Sequence, residues 1–226
     1  MDQFVEELLA RNTGHAEQFQ SRFDDVQESQ APNAVTVCCS DSRVLQDAMW
    51  DNTDPGQLFT CGNIGNRVIQ QTDDGTVVSG DVLYPLVHTY TETAIVAGHT
   101  GCGAVTATYD ALTDGCDEPP GITHCLDLLK PLLADAVDRL PDDILRAEAI
   151  DRLVEYNVDR QIEHLCESDD VPADVSVVGV VYDFQDRYSD QRGMVHVINI
   201  DGERDISTLR EQHPAISDRI TRLWNY

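Results

Sequence analysis

At 226 residues the chain is long enough for one well-buried core, and a single domain over 1–226 is the default expectation. Acidic residues outnumber basic ones 41 to 15, the formal net charge is −26, and Lys130 is the only lysine. This argues against nucleic acid or an anionic membrane as partner. Self-repulsion on this scale calls for salt, whose screening length falls to about 3 Å at 1 M, and so points to a high-salt cytoplasm.

Residues 1–30 form an N-terminal arm, polar with apolar positions at Phe4, Val5, Leu8, Leu9, Phe19, Phe23 and Val26. The spacing predicts one or two amphipathic helices, broken near Asn12-Thr-Gly14, able to pack on their own domain or on a partner subunit. The first residues lack the basic region of a signal peptide. Seven cysteines, an odd number that includes the adjacent Cys38-Cys39, do not suggest a secreted disulfide framework. No run approaches the roughly 18 apolar residues of a membrane span, so the expected location is cytoplasmic.

Val35–Cys38 reads as a buried parallel strand, followed by Cys39, Asp41 and Arg43. On an extended segment the last three would point to one side. Val44–Trp50 is helix-like, Gln57–Cys61 a second strand, and Gly62-Asn-Ile-Gly-Asn66 a loop. Ser79 can cap a helix carrying Val82, Leu83, Leu86 and Val87, with Pro85 near its first turn. Ala94–Ala97 is again strand-like and leads to His99, Cys102 and a helix beginning near Gly101. Helices follow over about 124–138 and 143–167, the second with Ile150, Leu153, Val154, Val158, Ile162 and Leu165 at helical spacing. Val175–Tyr182 should be a near-central strand, Met194–Ile200 another that ends at an Asp201-Gly202 turn. The tail from Ser207 is expected to be helical near Ile216–Trp224.

Working residues of an open α/β sheet sit where strands end. Cys39, His99 and Cys102 then form a Cys₂His set that binds zinc and leaves the fourth vertex open, the pattern of a catalytic site. Arg43 can pair with Asp41 and keep it ionised. Separately, each residue has a plainer reading. A cysteine is usually a small buried hydrophobe, a histidine can be a satisfied core residue, and an Asp–Arg pair two apart is usually a surface contact worth at most about 1 kcal/mol. The coincidence of two clusters after two strands favours a joint site. Cys116, His124 and Cys125 lack a fourth donor and are read as incidental.

Cys39-Ser-Asp-Ser-Arg43 followed by Gly98-His-Thr-Gly-Cys-Gly-Ala104 resembles the β-class carbonic anhydrases. Weaker matches extend the likeness over roughly residues 30–200: Gly56–Phe59, Asn63–Asn66, Leu153–Val158 and Val178–Asp183. The resemblance implies an α/β fold, a mainly parallel central sheet flanked by helices, and one Zn²⁺ per chain at the sheet's C-terminal edge. It also implies an obligate homodimer or higher even oligomer, the arm lying across the second subunit, and reversible hydration of CO₂ to bicarbonate.

The expected chemistry is attack by zinc hydroxide, with Asp41 accepting the hydroxide's proton and Arg43 fixing Asp41. In some family members the matching Asp becomes a fourth zinc ligand and closes the site. The chain departs from the family pattern at Gly62, Thr36 and Leu83, so a regulatory bicarbonate pocket is not carried over. Tyr84 and His88 are candidate proton shuttles by sequence proximity alone. Hydrolysis of CS₂ or COS and a zinc-stabilised binding protein without turnover are the alternatives. A cysteine phosphatase fails because it needs five residues between its Cys and Arg, and only four separate Cys38 and three separate Cys39 from Arg43.

Overall fold

The computed structural model describes residues 2–226. Five strands form the main sheet: β1 (Ala34–Cys39), β2 (Leu58–Asn63), β5 (Thr93–His99), β6 (Ser176–Asp183) and β7 (Met194–Ile200). Their order is β2-β1-β5-β6-β7, parallel except for the antiparallel β6–β7 pair. β1 is buried throughout, as its continuous apolar sequence requires of a strand covered on both faces. β1 and β5 are neighbours paired at Cys38 and Ala97, so the residues just beyond their ends are brought together.

One face of the sheet carries α5 (Arg146–Glu167), backed by α4 (Pro120–Asp138) and α3 (Gly103–Thr113). Two glycines let α5 approach closely. A Cβ on Gly98 would lie 2.8 Å from Val154 and Val158 side-chain atoms, and one on Gly179 2.8 Å from Val158. The other face is only partly covered. Ile95, Val178, Val195 and Val197 line an apolar groove of about 570 Å³ with Met49 and Trp50.

Several local expectations are corrected. The arm is one unbroken helix, α1 (Gln3–Phe19), capped by Asp2 and running through Gly14. It buries no residue, so Gly14 meets nothing within 4 Å that would force a break. Val44–Trp50 is a turn and a short 3₁₀ segment at Ala48–Trp50 instead of a helix. A hairpin, β3 (Ile69–Thr72) and β4 (Gly75–Val78), follows the metal-side loop and was not anticipated. In α2 (Gly80–His88), Pro85 lies in the second turn. The Asp81 carbonyl that Pro85 cannot serve accepts the Cys61 Sγ–H at 3.4 Å.

The C-terminal helix is α6 (Ile206–Gln212), and Ile216–Trp224 is not helical beyond a 3₁₀ turn at Pro214–Ile216. The tail instead pairs with the sheet's edge. Val197 N–H donates to Arg219 O and Thr221 N–H to Val197 O, which covers part of β7's free side. No helix among the described residues is long and apolar enough to cross a membrane.

Candidate metal centre

Cys39 ends β1, His99 ends β5, and Cys102 caps the N-terminus of α3. Each is at most 6% exposed. Their ligand-capable atoms all lie within 4.8 Å of one another, and they form the only such group of three among the described residues. Cys116 is exposed and the Cys125 sulfur accepts from Arg67, so that second trio is not assembled.

Three features of the geometry fit a tetrahedral zinc ion. The two sulfurs are 3.8 Å apart. Two Zn–S bonds of about 2.3 Å at the tetrahedral angle would hold sulfurs about 3.8 Å apart. His99 Nε2 is fully buried with no hydrogen-bond partner, a costly state for a ring nitrogen that no cation engages. The sulfurs also bias one another. The hydrogen bond from Cys102 pulls the Cys39 thiol down against the cost of burial, with the Gly65 N–H helping. The same contact and near-complete burial push Cys102 up, opposed by the N–H groups of Val105 and Ala104 at the helix start. A cation takes both sulfurs as thiolates, so its binding displaces the proton they share.

β1 stops at Cys39, so Asp41 and Arg43 meet across a turn and not along an extended strand. Asp41 Oδ1 accepts the Arg43 backbone N–H at 2.9 Å and Nε–H at 2.8 Å; Oδ2 accepts from the outer guanidinium nitrogen at 2.7 Å. This fork holds the Asp41 carboxyl well below the usual carboxylate range. Asp41 Oδ2 is 3.7 Å from His99 Nε2, beside the ligand atoms. The carboxylate is engaged by Arg43 and is not a member of the three-ligand group. Arg43 also stacks over Phe184, 4.7 Å from the ring centroid, and Phe184 lies against His99 at 5.6 Å. Tyr84 and His88, the shuttle candidates, pack on each other at 5.2 Å.

Reading α5 for its apolar spacing alone misses its part in the site. Besides those residues it buries Asp151, Glu155, Asn157, Asp159 and Gln161. Asn157 donates to Gly65 O and Asn66 Oδ1, while Gln161 accepts the Val68 N–H at 2.8 Å, fixing the loop behind Cys39. Asp151 accepts the Gly101 N–H at 2.9 Å, between two ligands. Gly101 has φ +61°, the left-handed turn that brings Cys102 round to His99. Carboxylates at 151, 155 and 159 recur every four residues, a period that places them on one helix face; the sequence carried that signal.

Comparison with known proteins agrees. A sequence model of the family described as Carbonic anhydrase matches residues 34–188. The chain is 30% identical over 143 residues to a carbonic anhydrase of Pseudomonas aeruginosa, and 27% identical over 121 residues to one of Helicobacter pylori. The matches cover 63% and 51% of this chain, and 63% and 53% of those relatives, less than two thirds of their length. Among solved structures, a β-carbonic anhydrase of Aspergillus fumigatus superposes with a TM-score of 0.71 at 24% identity, covering 98% of this chain and all of that one. A tetrameric β-carbonic anhydrase of Sordaria macrospora gives 0.69 at 23%, covering 88% and 98%. The sheet-edge cluster, the matched motifs and the superposed fold lead to one conclusion: this chain belongs to the carbonic anhydrase family and has the fold of its β class.

Proposed function

We propose that this protein is a zinc-dependent carbonic anhydrase that reversibly hydrates CO₂ to bicarbonate. The observation that carries the reading is the Cys39–His99–Cys102 cluster, sulfurs at tetrahedral spacing, with an ionised Asp41 beside it. Zinc held there supplies the Lewis acidity that lets water give up a proton near neutral pH. The chain's own part is orientation. Asp41 can only accept, so it takes a hydrogen bond from the nucleophilic oxygen and turns a lone pair towards CO₂. Arg43 spans both carboxylate oxygens and keeps that acceptor charged and in place. Asp41 would have to leave Arg43 to serve as a fourth ligand; its Oδ2 stands 3.7 Å from His99 Nε2.

A homodimer, or a higher even oligomer, is part of the reading. The apolar groove on the open sheet face and the exposed α1 stripe, Phe4 59%, Leu8 44% and Leu9 55% exposed, are surfaces that a second copy would cover. The charge of −26 favours a high-salt cytoplasm as its setting. Equal resistance to denaturation in dilute and molar KCl would remove that element.

Stopped-flow CO₂ hydration at pH 8.5 in molar KCl, with metal analysis, tests the reaction. The expected result is about one zinc per chain and a zinc-dependent rate, both lost in Cys39→Ala. Zinc without turnover on CO₂ would leave a binding protein or a hydrolase of another small carbon–sulfur substrate.

A further inference from the structure

A metal-ligating histidine is held and tuned by whatever its second ring nitrogen touches. His99 Nδ1 lies 3.0 Å from the Thr100 carbonyl oxygen. A carbonyl can only accept, so Nδ1 carries the hydrogen and Nε2 keeps its lone pair free. The other end of that same peptide unit is the Gly101 N–H, which donates to Asp151 Oδ1 at 2.9 Å. A single amide thus joins a buried carboxylate on α5 to the imidazole at the tip of β5.

We propose that Asp151 is a positioning residue for His99, acting through the Thr100–Gly101 peptide to fix the Nδ1-protonated tautomer and strengthen Nε2 as a metal donor. The inference rests on the metal reading above. A carboxylate accepting from an amide N–H polarises that amide, and its carbonyl becomes a stronger acceptor for the next donor in line. The pull passes to Nδ1–H and raises the electron density available at Nε2. Gly101 makes the path possible, because its left-handed φ turns the N–H towards α5.

The choice of residue is the telling point. Holding one N–H needs only a neutral oxygen, and α5 uses neutral amides, Asn157 and Gln161, to hold the loop behind Cys39. At the histidine it spends a carboxylate that is 2% exposed. Arg187 Nε lies 2.9 Å from Asp151 Oδ2 but off the N–H direction, a charge contact and not a hydrogen bond. Burying a carboxylate on one N–H bond and one ion pair still costs desolvation. A charge directed down the peptide gives that cost a purpose.

Equilibrium competition for zinc and cobalt(II) against a chelator tests the proposal on folded protein. Asp151→Ala is expected to weaken metal binding about tenfold to one-hundredfold, with Asp151→Asn, which keeps an acceptor but not the charge, between it and wild type. Wild-type affinity in Asp151→Ala would overturn the proposal. If that variant does not fold, ring ¹⁵N–¹H correlation of metal-free wild type and Asp151→Asn decides. A proton on His99 Nδ1 that moves to higher field in Asp151→Asn supports the coupling; a proton on Nε2 in wild type, or no shift in the variant, overturns it. Neither readout uses CO₂, so absence of hydration would strike the proposed reaction and leave this inference standing.

Discussion

Two helices of this chain treat water in opposite ways. α1 holds Phe4, Val5, Leu8 and Leu9 out to solvent and buries nothing. α5 takes Asp151, Glu155, Asn157, Asp159 and Gln161 out of water together with its apolar residues. The difference is the supply of partners, not the polarity of the sequence. Glu155 Oε1 accepts from Tyr188 O–H at 2.8 Å and Leu223 N–H at 2.7 Å, and Oε2 from Trp224 N–H at 3.0 Å. Asp159 accepts from Arg222, Tyr226 and Asn199. A polar group that is met on every side can be buried. An apolar stripe against which no other element of the chain packs stays exposed.

Four perturbations break or sharpen that contrast. The largest effect is expected from Arg222→Ala, which leaves the fully buried Asp159 without its cation; a loss of about 3–5 kcal/mol should appear as a lowered denaturation midpoint. Gln161→Ala unpairs the Val68 N–H and the Asn157 side chain, and about 1–3 kcal/mol should be lost in the same measurement.

Glu155 adds a dependence on pH. Burial pushes its carboxyl from 4.5 up to about 7, against the pull of Arg222, the Leu223 N–H and the Tyr188 O–H. Between those values the folded chain holds a proton that the unfolded chain has released. Stability should therefore fall as pH rises through this window, by up to about 1.4 kcal/mol per pH unit from this group. Glu155→Gln should flatten that slope in a series of melts.

The smallest effect on stability belongs to α1. Leu8→Asp with Leu9→Asp should change the dilute protein's stability by no more than about 0.5 kcal/mol while weakening self-association in sedimentation. A loss of several kcal/mol with unchanged sedimentation would mean that the arm packs on its own domain.

What the sequence revealed, and what it hid, follows the same division. Cys39, His99 and Cys102 were legible because metal-capable side chains closed two β-branched runs, and adjacent parallel strands bring such ends together. α5 declared itself by apolar period. The β3–β4 hairpin was hidden although Asp73-Asp74 forms its turn with Gly75 just after, because Gln70 and Gln71 blur the alternation of β3. The tail is not the helix expected near Ile216–Trp224: Ile220 serves the core while the N–H groups around it serve β7 and Glu155, which a helix would have withdrawn. Each polar residue on α5 looks like a solvent-facing position until its distant partner is known.

The thiol that closes the gap left by Pro85 has a practical consequence. Cys61 is pushed up to about 11 by its burial, so an alkylating reagent finds almost no thiolate there while β2 and α2 remain together. Cys116 and Cys166 stand at the surface, where a reagent reaches them without any opening. Mass tags arriving late on Cys61 would therefore time the parting of that strand from that helix, a stopwatch for opening that needs no engineered label.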